Sequence, residues 1–205
     1  MDVEQRIVQM IDEAQGWEKA CLLLIAREGE KSEDFPQSPI ELLLQGAIHA
    51  YQIWPDSPKF RANKSYSDSK LTIKIYCLPG ETFETMVDTP PAAYPYKEIL
   101  IFPQVVIGKY RVDFLAAYSL KDGYHTEVNR YFLAIECDGH EFHEKTKEQA
   151  ARDKARDRFL ISQNVPVMRF SGSEIWASPQ ACVMEIVYYF EKMAQINSEK
   201  RSIPQ

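Results

Sequence analysis

Three carboxylates interrupt or follow apolar runs in the second half of the chain. Asp113 interrupts the otherwise apolar run 112–117, and Glu136 follows the apolar residues 132–135. Asp138 comes two residues after Glu136, so both side chains lie on one face if the strand continues that far. A buried carboxylate is costly, and like charges at one sheet edge repel unless a cation lies between them. Because carboxylate oxygens are the ligands that Mg²⁺ and Mn²⁺ prefer, the spacing predicts a divalent-metal site.

Two histidines follow these acids closely. His140 and His143 are candidate general acids or bases, because an unperturbed imidazole titrates near neutral pH. Together with Cys137 they also have C-x2-H-x2-H spacing, which makes zinc an alternative metal. Cys77 and Cys182 are too remote in sequence to complete a structural zinc site at the usual spacing. A surface histidine pair without a role is a further alternative.

A basic segment follows the histidines. Residues 145–170 contain seven bases and three acids, a local charge of +4, although the whole chain has a net charge of -6. A polyanion such as a nucleic acid can therefore bind locally despite the acidic total. The alternative is a solvated helix face with pairs four residues apart. The candidate phosphate contacts are Lys145, Lys147, Arg152, Lys154, Arg156 and Arg158.

The elements that must position these residues alternate between helix and strand. Ser38, Pro39 and Glu41 form a capping-box start, which predicts a helix over 38–54. Gly108-Lys109 predicts a tight turn between two strands. Strands are predicted at 71–78, 98–107, 110–118, 130–137 and 165–170, and further helices at 144–162 and 178–194. Strands enclosed by helices predict an α/β or α+β layer fold in residues 38–205, and α/β is the expectation that we adopt.

Two stretches look like additions to this core. Residues 1–41 contain ten acids and four bases, and the apolar periodicity over 2–27 predicts an acidic helix that a linker joins at 28–37. That helix packs on the core in the default interpretation. The alternatives are a surface for a protein partner or self-association, and a nucleic-acid mimic that shields the basic segment. Residues 55–97, rich in polar residues and proline, are interpreted as an insertion.

The remaining composition indicates the cellular compartment in which we expect the protein. No apolar stretch approaches the 18 residues of a membrane span, and the acidic N-terminus lacks the apolar region of a signal peptide. The four cysteines show no CxxC pair, which is typical of free thiols in a reducing compartment. We therefore expect a cytoplasmic protein without membrane contact.

Several short motifs occur in an order that resembles a known family. They are SPIE at 38–41, QVVIGKYRVDF at 104–114, IECDGH at 135–140 with His143, Asp153 with Arg156-Asp157, and VMRF at 167–170. Together they resemble the very-short-patch-repair-endonuclease-like branch of the PD-(D/E)XK nuclease superfamily, over about 38–54 and 98–192. The resemblance implies a central mixed β-sheet flanked by helices and a divalent-metal phosphodiesterase site.

The resemblance also implies roles for single residues. Asp113 matches the aspartate that bridges the metal, and Glu136 matches the acidic residue of the (D/E)-x-K element. The main-chain carbonyl of Cys137 would be a ligand, and Glu41 matches a helix-borne glutamate that holds a water or a second ion. Asp138 stands where the lysine of that element is expected.

The missing lysine leaves its role to another residue. His140, His143 or a residue of the following helix are candidates, and Lys145 is the nearest ammonium. A second cation held by Asp138 and Glu41 is the alternative to a histidine acid. The sequence thus predicts an endonuclease that uses Mg²⁺ or Mn²⁺ to hydrolyse phosphodiester bonds of DNA, in a repair or defence setting. The alternative is a catalytically weak nuclease-fold protein that binds nucleic acid or a protein partner.

Overall fold

The structure, a computed structural model, describes residues 38–53, 72–75, 83–88, 98–121, 128–138 and 147–201. The predicted acidic helix at 2–27 and the segment 139–146, with His140, His143 and Lys145, lie outside the described residues. The described elements are α1 (Pro39–Ile53), β1 (Thr72–Ile75), α2 (Phe83–Asp88), β2 (Glu98–Pro103), β3 (Val106–Ile107), β4 (Tyr110–Arg111), β5 (Phe114–Lys121), β6 (Val128–Asp138), α3 (Lys147–Ser162), β7 (Val167–Ser171), α4 (Gly172–Ala177) and α5 (Pro179–Arg201).

Five strands form one mixed sheet in the order β1-β2-β5-β6-β7. The outer pairs, β1 with β2 and β6 with β7, are parallel, whereas β5 is antiparallel to both β2 and β6. Helices cover both faces of this sheet, which confirms the predicted α/β fold with a central mixed sheet. The arrangement is consistent with a restriction-endonuclease-like core.

Alternation along the central strands divides the core into two layers. Phe114 and Ile135 face the layer that α1, α4 and α5 cover, with Leu44 and Val187 in its interior. The neighbouring residues Leu115 and Ala134 face the opposite layer, where Leu160 of α3 packs. Burial of these apolar surfaces is the main stabilising contribution to the fold. Neighbouring residues at the end of β6 therefore point their side chains to opposite faces of the sheet.

Residues 55–97 are more closely tied to the sheet than an insertion would suggest. β1 lies within this stretch and pairs in parallel with β2, with Ile73 opposite Ile99 and fully buried. A short helix, α2, lies within the residues 79–97 for which a loop or an insertion was predicted. Its Phe83 and Met86 are buried against the layer that contains Leu160. The strand predicted at 71–78 contains β1, whereas the six residues of α2 carry too little periodicity for a prediction from sequence. The outer limits of the insertion stay a prediction.

The predicted turn at 108–109 connects β3 and β4, which pair as a small hairpin beside the sheet. Gly108 has a φ of 59°, a region that residues with a Cβ rarely adopt. A Cβ at this position would lie 2.6 Å from Cζ of Phe159 in α3. Both the turn and the close approach of α3 to the hairpin therefore require glycine.

None of the helices within the described ranges has the length and apolar character that a membrane crossing requires.

Candidate active site

Asp113 and Glu136 lie at the same end of two neighbouring antiparallel strands. In the register of β5 and β6, Phe114 is opposite Ile135, and one further step places Asp113 opposite Glu136. Directly opposed residues share one face of a sheet. The pKa of Glu136 is raised to about 7, first by burial and next by the negative charge of Asp113. The two carboxylates therefore form one electrostatically coupled pair, on the sheet face that α3 covers.

The carboxylate of Asp113 is fixed by the main chain of β6. The N–H of Cys137 donates a hydrogen bond of 2.7 Å to Oδ2 of Asp113. Burial raises the pKa of Asp113 above its ordinary value, while this hydrogen bond and the charge of Arg156 act in the opposite direction. Since the hydrogen bond engages only Oδ2, the second oxygen can bind a cation or a water.

Arg156 brings a positive charge from α3 to this pair. Its guanidinium Nη2 contacts Oε1 of Glu136 and donates a hydrogen bond of 2.6 Å to the main-chain carbonyl of Arg111. The Glu136 side chain is 6% exposed and that of Arg156 is 21% exposed, so the pair is largely shielded from water. The buried Nε of Arg156 has no hydrogen-bond partner among the described residues.

Glu41 reaches the same region from the other side of the sheet. It lies in the first turn of α1, is 6% exposed, and its Oε2 accepts a hydrogen bond of 2.8 Å from Nε2 of Gln104. The pKa of the Cys137 thiol is raised by burial and then by the charges of Asp113, Glu41 and Glu136. The negative charges of all three carboxylates predicted as ligands thus raise the pKa of the Cys137 thiol, at the end of β6.

Asp138 lies in a second charged group on the α3 side of the sheet. The register of β6 and β7 pairs Glu136 with Arg169, so this arginine adjoins the site in the neighbouring strand. Nη1 of Arg169 lies 3.6 Å from Oδ1 of Asp138, and its Nη2 lies 2.5 Å from Oδ1 of Asp157 in α3. Asp138 therefore already has a cationic partner, which weakens the alternative in which it holds a second metal ion.

The predicted nucleic-acid contacts separate into two groups. Arg156 is partly buried and pairs with Glu136, whereas Lys147, Arg152, Lys154 and Arg158 are exposed along α3. Their roles as phosphate contacts stay predictions. The same is true of Lys145, and of His140 and His143 as proton donors or acceptors, because they fall outside the described ranges.

The donor set fits a hard divalent cation in its chemistry. Within the described ranges no group of three or more Asp, Glu, His or Cys side chains has an arrangement that would hold a metal ion. Asp113, which is partly buried, and Glu136, which is buried, nevertheless supply two mutually repelling carboxylates, and each has one oxygen engaged by a protein donor. A cation between them would remove that repulsion. They are the residues that would hold it, and Glu41 and the Cys137 carbonyl are further candidates.

Three residues of this site were not predicted as site residues. Gln104 and Arg169 lie within the motifs at 104–114 and 167–170, and Asp157 follows Arg156. The sequence signal for Arg169 is a charge inside an otherwise apolar strand. No local signal identifies Gln104, because its partner Glu41 is 63 positions away.

Comparison with known families agrees with this picture. The family model REase_MTES_1575, which describes a restriction-endonuclease-like family, matches residues 96–189, a little under half of the chain. The matched region contains β2 to β7, α3, α4 and the first half of α5, and therefore Asp113, Glu136 and Arg156. The match supports a restriction-endonuclease-like nuclease family, without specifying the very-short-patch-repair branch. Searches of curated proteins and of solved structures gave no match.

Proposed function

We propose that this protein is a divalent-metal-dependent endonuclease that hydrolyses phosphodiester bonds of DNA, with Mg²⁺ or Mn²⁺ as its cofactor. The observation that carries the proposal is the Asp113–Glu136 pair, two coupled acids on one face at the end of adjacent strands. The match to a restriction-endonuclease-like family supports a nuclease in general. The proposals that DNA is the substrate and that the protein acts in repair or defence are more specific than this family match.

Asp113 and Glu136 would bind the cation through the oxygens that the protein leaves available. Bound Mg²⁺ or Mn²⁺ supplies Lewis acidity that neutralises charge on the scissile phosphate and makes water a better nucleophile. The Cys137 N–H holds the Asp113 carboxylate in one orientation. Such preorganisation reduces the reorganisation needed when the transition state forms.

Arg156 supplies positive charge in a site that lacks the lysine of the (D/E)-x-K element. Its Nη2 is engaged by Glu136 and the Arg111 carbonyl, which holds the positive charge beside the Asp113–Glu136 pair. An arginine stays protonated at all ordinary pH values, so it can stabilise charge but cannot act as the general acid. The proton for the leaving oxygen therefore has to come from another group, and His140 and His143 are the candidates.

The exposed bases of α3 would contact the DNA backbone beside the candidate active site. They lie on the helix that also carries Arg156, and phosphate contacts of this kind position a duplex without specifying its sequence. The exposed group consists of Lys147, Arg152, Lys154 and Arg158.

The rival interpretations use the same scaffold differently. A catalytically weak member would bind nucleic acid or a protein without cleaving it. A zinc protein would use Cys137, but burial and the three nearby carboxylates raise the pKa of that thiol and so disfavour the thiolate that zinc requires.

The test is cleavage of supercoiled plasmid by the purified full chain in a Mg²⁺ and Mn²⁺ concentration series. Relaxed or linear product should appear with either metal, be absent with EDTA, and be lost in Asp113→Ala. A matched control is Glu148→Ala, at an exposed acid of α3 that lies outside the motifs and the candidate site. Absence of product at every metal concentration, while DNA still binds, would favour the catalytically weak alternative.

A further inference from the structure

The β3–β4 hairpin continues the pairing of the two central strands beyond the sheet. After the last paired residues of β2 and β5, the N–H of Gln104 donates a hydrogen bond of 2.8 Å to the carbonyl of Asp113. The N–H of Val112 then donates a hydrogen bond of 2.9 Å to the carbonyl of Val105. The hairpin therefore begins directly at Asp113, one of the two acids of the candidate active site.

One face of the hairpin is held against α3. Gly108 approaches the ring of Phe159 so closely that a Cβ would not fit, and the centre of the Tyr110 ring lies 5.3 Å from that of Phe159. Ile107 is buried in the same apolar layer as Leu160. The position of the hairpin relative to the active-site helix is therefore fixed by packing.

The start of β4 and β5 is tied to the candidate active site through Arg156. Its Nη2 donates a hydrogen bond of 2.6 Å to the carbonyl of Arg111 and also contacts Oε1 of Glu136. Two hydrogen bonds that share one atom place the Arg111 carbonyl within about 6 Å of the Glu136 carboxylate. The main chain of Arg111 thus lies beside the Asp113–Glu136 pair.

The other face of the hairpin is exposed and basic. Arg111 is opposite Val106 in the register of β3 and β4, and both are exposed, as is Lys109 at the turn. Neither Lys109 nor Arg111 forms an ion pair with another residue that the structure describes. Nζ of Lys109 lies 5.3 Å from the centre of the Tyr110 ring. Two cations without a carboxylate partner can bind phosphate oxygens.

We propose that the β3–β4 hairpin is a second DNA-contacting element, in which Lys109 and Arg111 bind backbone phosphates that flank the scissile one. This inference rests on the proposed function, since DNA is the substrate proposed there. A strand whose scissile phosphate lies at the Asp113–Glu136 pair continues past that pair, and its neighbouring phosphates come within reach of the long Arg111 side chain. Contacts of this kind fix the register of the strand without reading its sequence.

The experiment is fluorescence anisotropy of the full chain with a labelled DNA duplex at several salt concentrations, in EDTA, so that neither metal binding nor cleavage contributes. Lys109→Gln and Arg111→Gln should each reduce the slope of log affinity against log salt concentration by about one unit. The reduction should be equal on two duplexes of unrelated sequence, because phosphates do not differ between them. Arg111→Lys keeps the charge and should keep the slope. All these changes leave the Arg111 carbonyl in place for Arg156.

The matched control is Lys192→Gln. Lys192 is exposed and its Nζ lies 5.2 Å from the centre of the Tyr188 ring, as Lys109 lies near Tyr110, but it belongs to α5, which covers the opposite face of the sheet. The control removes the same charge and should keep the wild-type slope. Equal melting temperatures show that the variants fold.

Three results would overturn the inference and leave the proposed function intact. They are an unchanged slope in both hairpin variants, an equal reduction in the Lys192→Gln control, and a loss confined to one of the two DNA sequences. Absence of DNA binding by the wild type at every salt concentration would overturn the proposed function on DNA together with this inference.

Discussion

The main-chain N–H of Cys137 donates a hydrogen bond of 2.7 Å to Oδ2 of Asp113, across the ends of β6 and β5. Through this contact Asp113 has a structural role in addition to its predicted catalytic role. It satisfies a main-chain donor at a partly buried position, and a buried donor without a partner is costly. The two tasks can be separated by the choice of substitution.

The first prediction uses that separation. Asp113→Asn keeps an oxygen that accepts from Cys137, so its free energy of unfolding should stay within about 1 kcal/mol of the wild type. Asp113→Ala leaves the donor unpaired and should lose about 1–3 kcal/mol. Both variants should lose plasmid cleavage, because neither offers a carboxylate to the cation. Urea unfolding and cleavage assays check the two parts, and a cleaving Asp113→Asn variant would contradict the role of Asp113.

The second prediction concerns Glu136 and pH. Its pKa in the folded protein is about 7, above the ordinary value of 4.5, with burial as the main cause. The folded state therefore binds more protons than the unfolded state between these values. The stability linked to Glu136 is fully present below about pH 4.5 and is lost as the pH rises through about 7.

Glu136→Gln isolates this effect from all other titrating groups. Without metal, the variant should match the wild type near about pH 4.5 and exceed it near about pH 8 by on the order of 1–3 kcal/mol, since one pKa unit is about 1.4 kcal/mol. Glutamine can still accept a hydrogen bond from Arg156. Chemical unfolding at several pH values measures the difference between the two proteins. A difference that does not change with pH would show that burial does not raise this pKa.

A larger part of the fold than of the candidate site could be predicted from the sequence. Apolar runs bounded by turn residues located the central strands, and Gly108 located the hairpin turn, because these are local signals. β1 lies within the strand predicted at 71–78, whereas α2 contains six residues, too few to show periodicity. The alternation of side chains predicted that Glu136 and Asp138 lie on one face if the strand continues that far, and β6 extends to Asp138.

The contacts that complete the site depend on tertiary packing. Six bases follow the acids, and only the position of α3 against the sheet brings Arg156 rather than its neighbours to Glu136. The pairing of Arg169 with Asp138 follows from the parallel register of β6 and β7. The bond between Gln104 and Glu41 joins residues 63 positions apart. Sequence spacing does not specify contacts of this kind.

The third prediction distinguishes Arg156 from the other bases of α3. Arg156→Ala should reduce the rate of plasmid cleavage at saturating metal by roughly 100-fold or more, the typical effect of removing one charge-stabilising donor. Arg156→Lys should retain part of the rate, because it restores the charge without the planar group. Arg152→Ala, at an exposed position of the same helix, is the control, and at saturating DNA it should cleave at the wild-type rate because its predicted role is in DNA binding alone. An equal loss in the control would assign Arg156 to general DNA attraction.

The fourth prediction concerns those exposed bases. Each phosphate contact contributes roughly 0.9 to the slope of log affinity against log salt concentration on duplex DNA. Reversal of a contacting base, for example Arg152→Glu, should reduce the slope by about one unit without changing Mn²⁺ affinity. Fluorescence anisotropy with a labelled duplex at several salt concentrations measures this slope. If reversal at Lys147, Arg152, Lys154 and Arg158 each left the slope unchanged, α3 would not be the DNA-binding element.

The most direct test of the central claim is to locate the cation. Crystals of the full chain soaked in Mn²⁺ and measured near the manganese absorption edge give an anomalous signal that identifies the metal. We predict one strong peak at about 2.0–2.3 Å from oxygens of both Asp113 and Glu136, which are ordinary distances for a small divalent cation. The peak should disappear in Asp113→Asn. A well-diffracting crystal with no peak at this pair, or with manganese bound only elsewhere, would contradict the account.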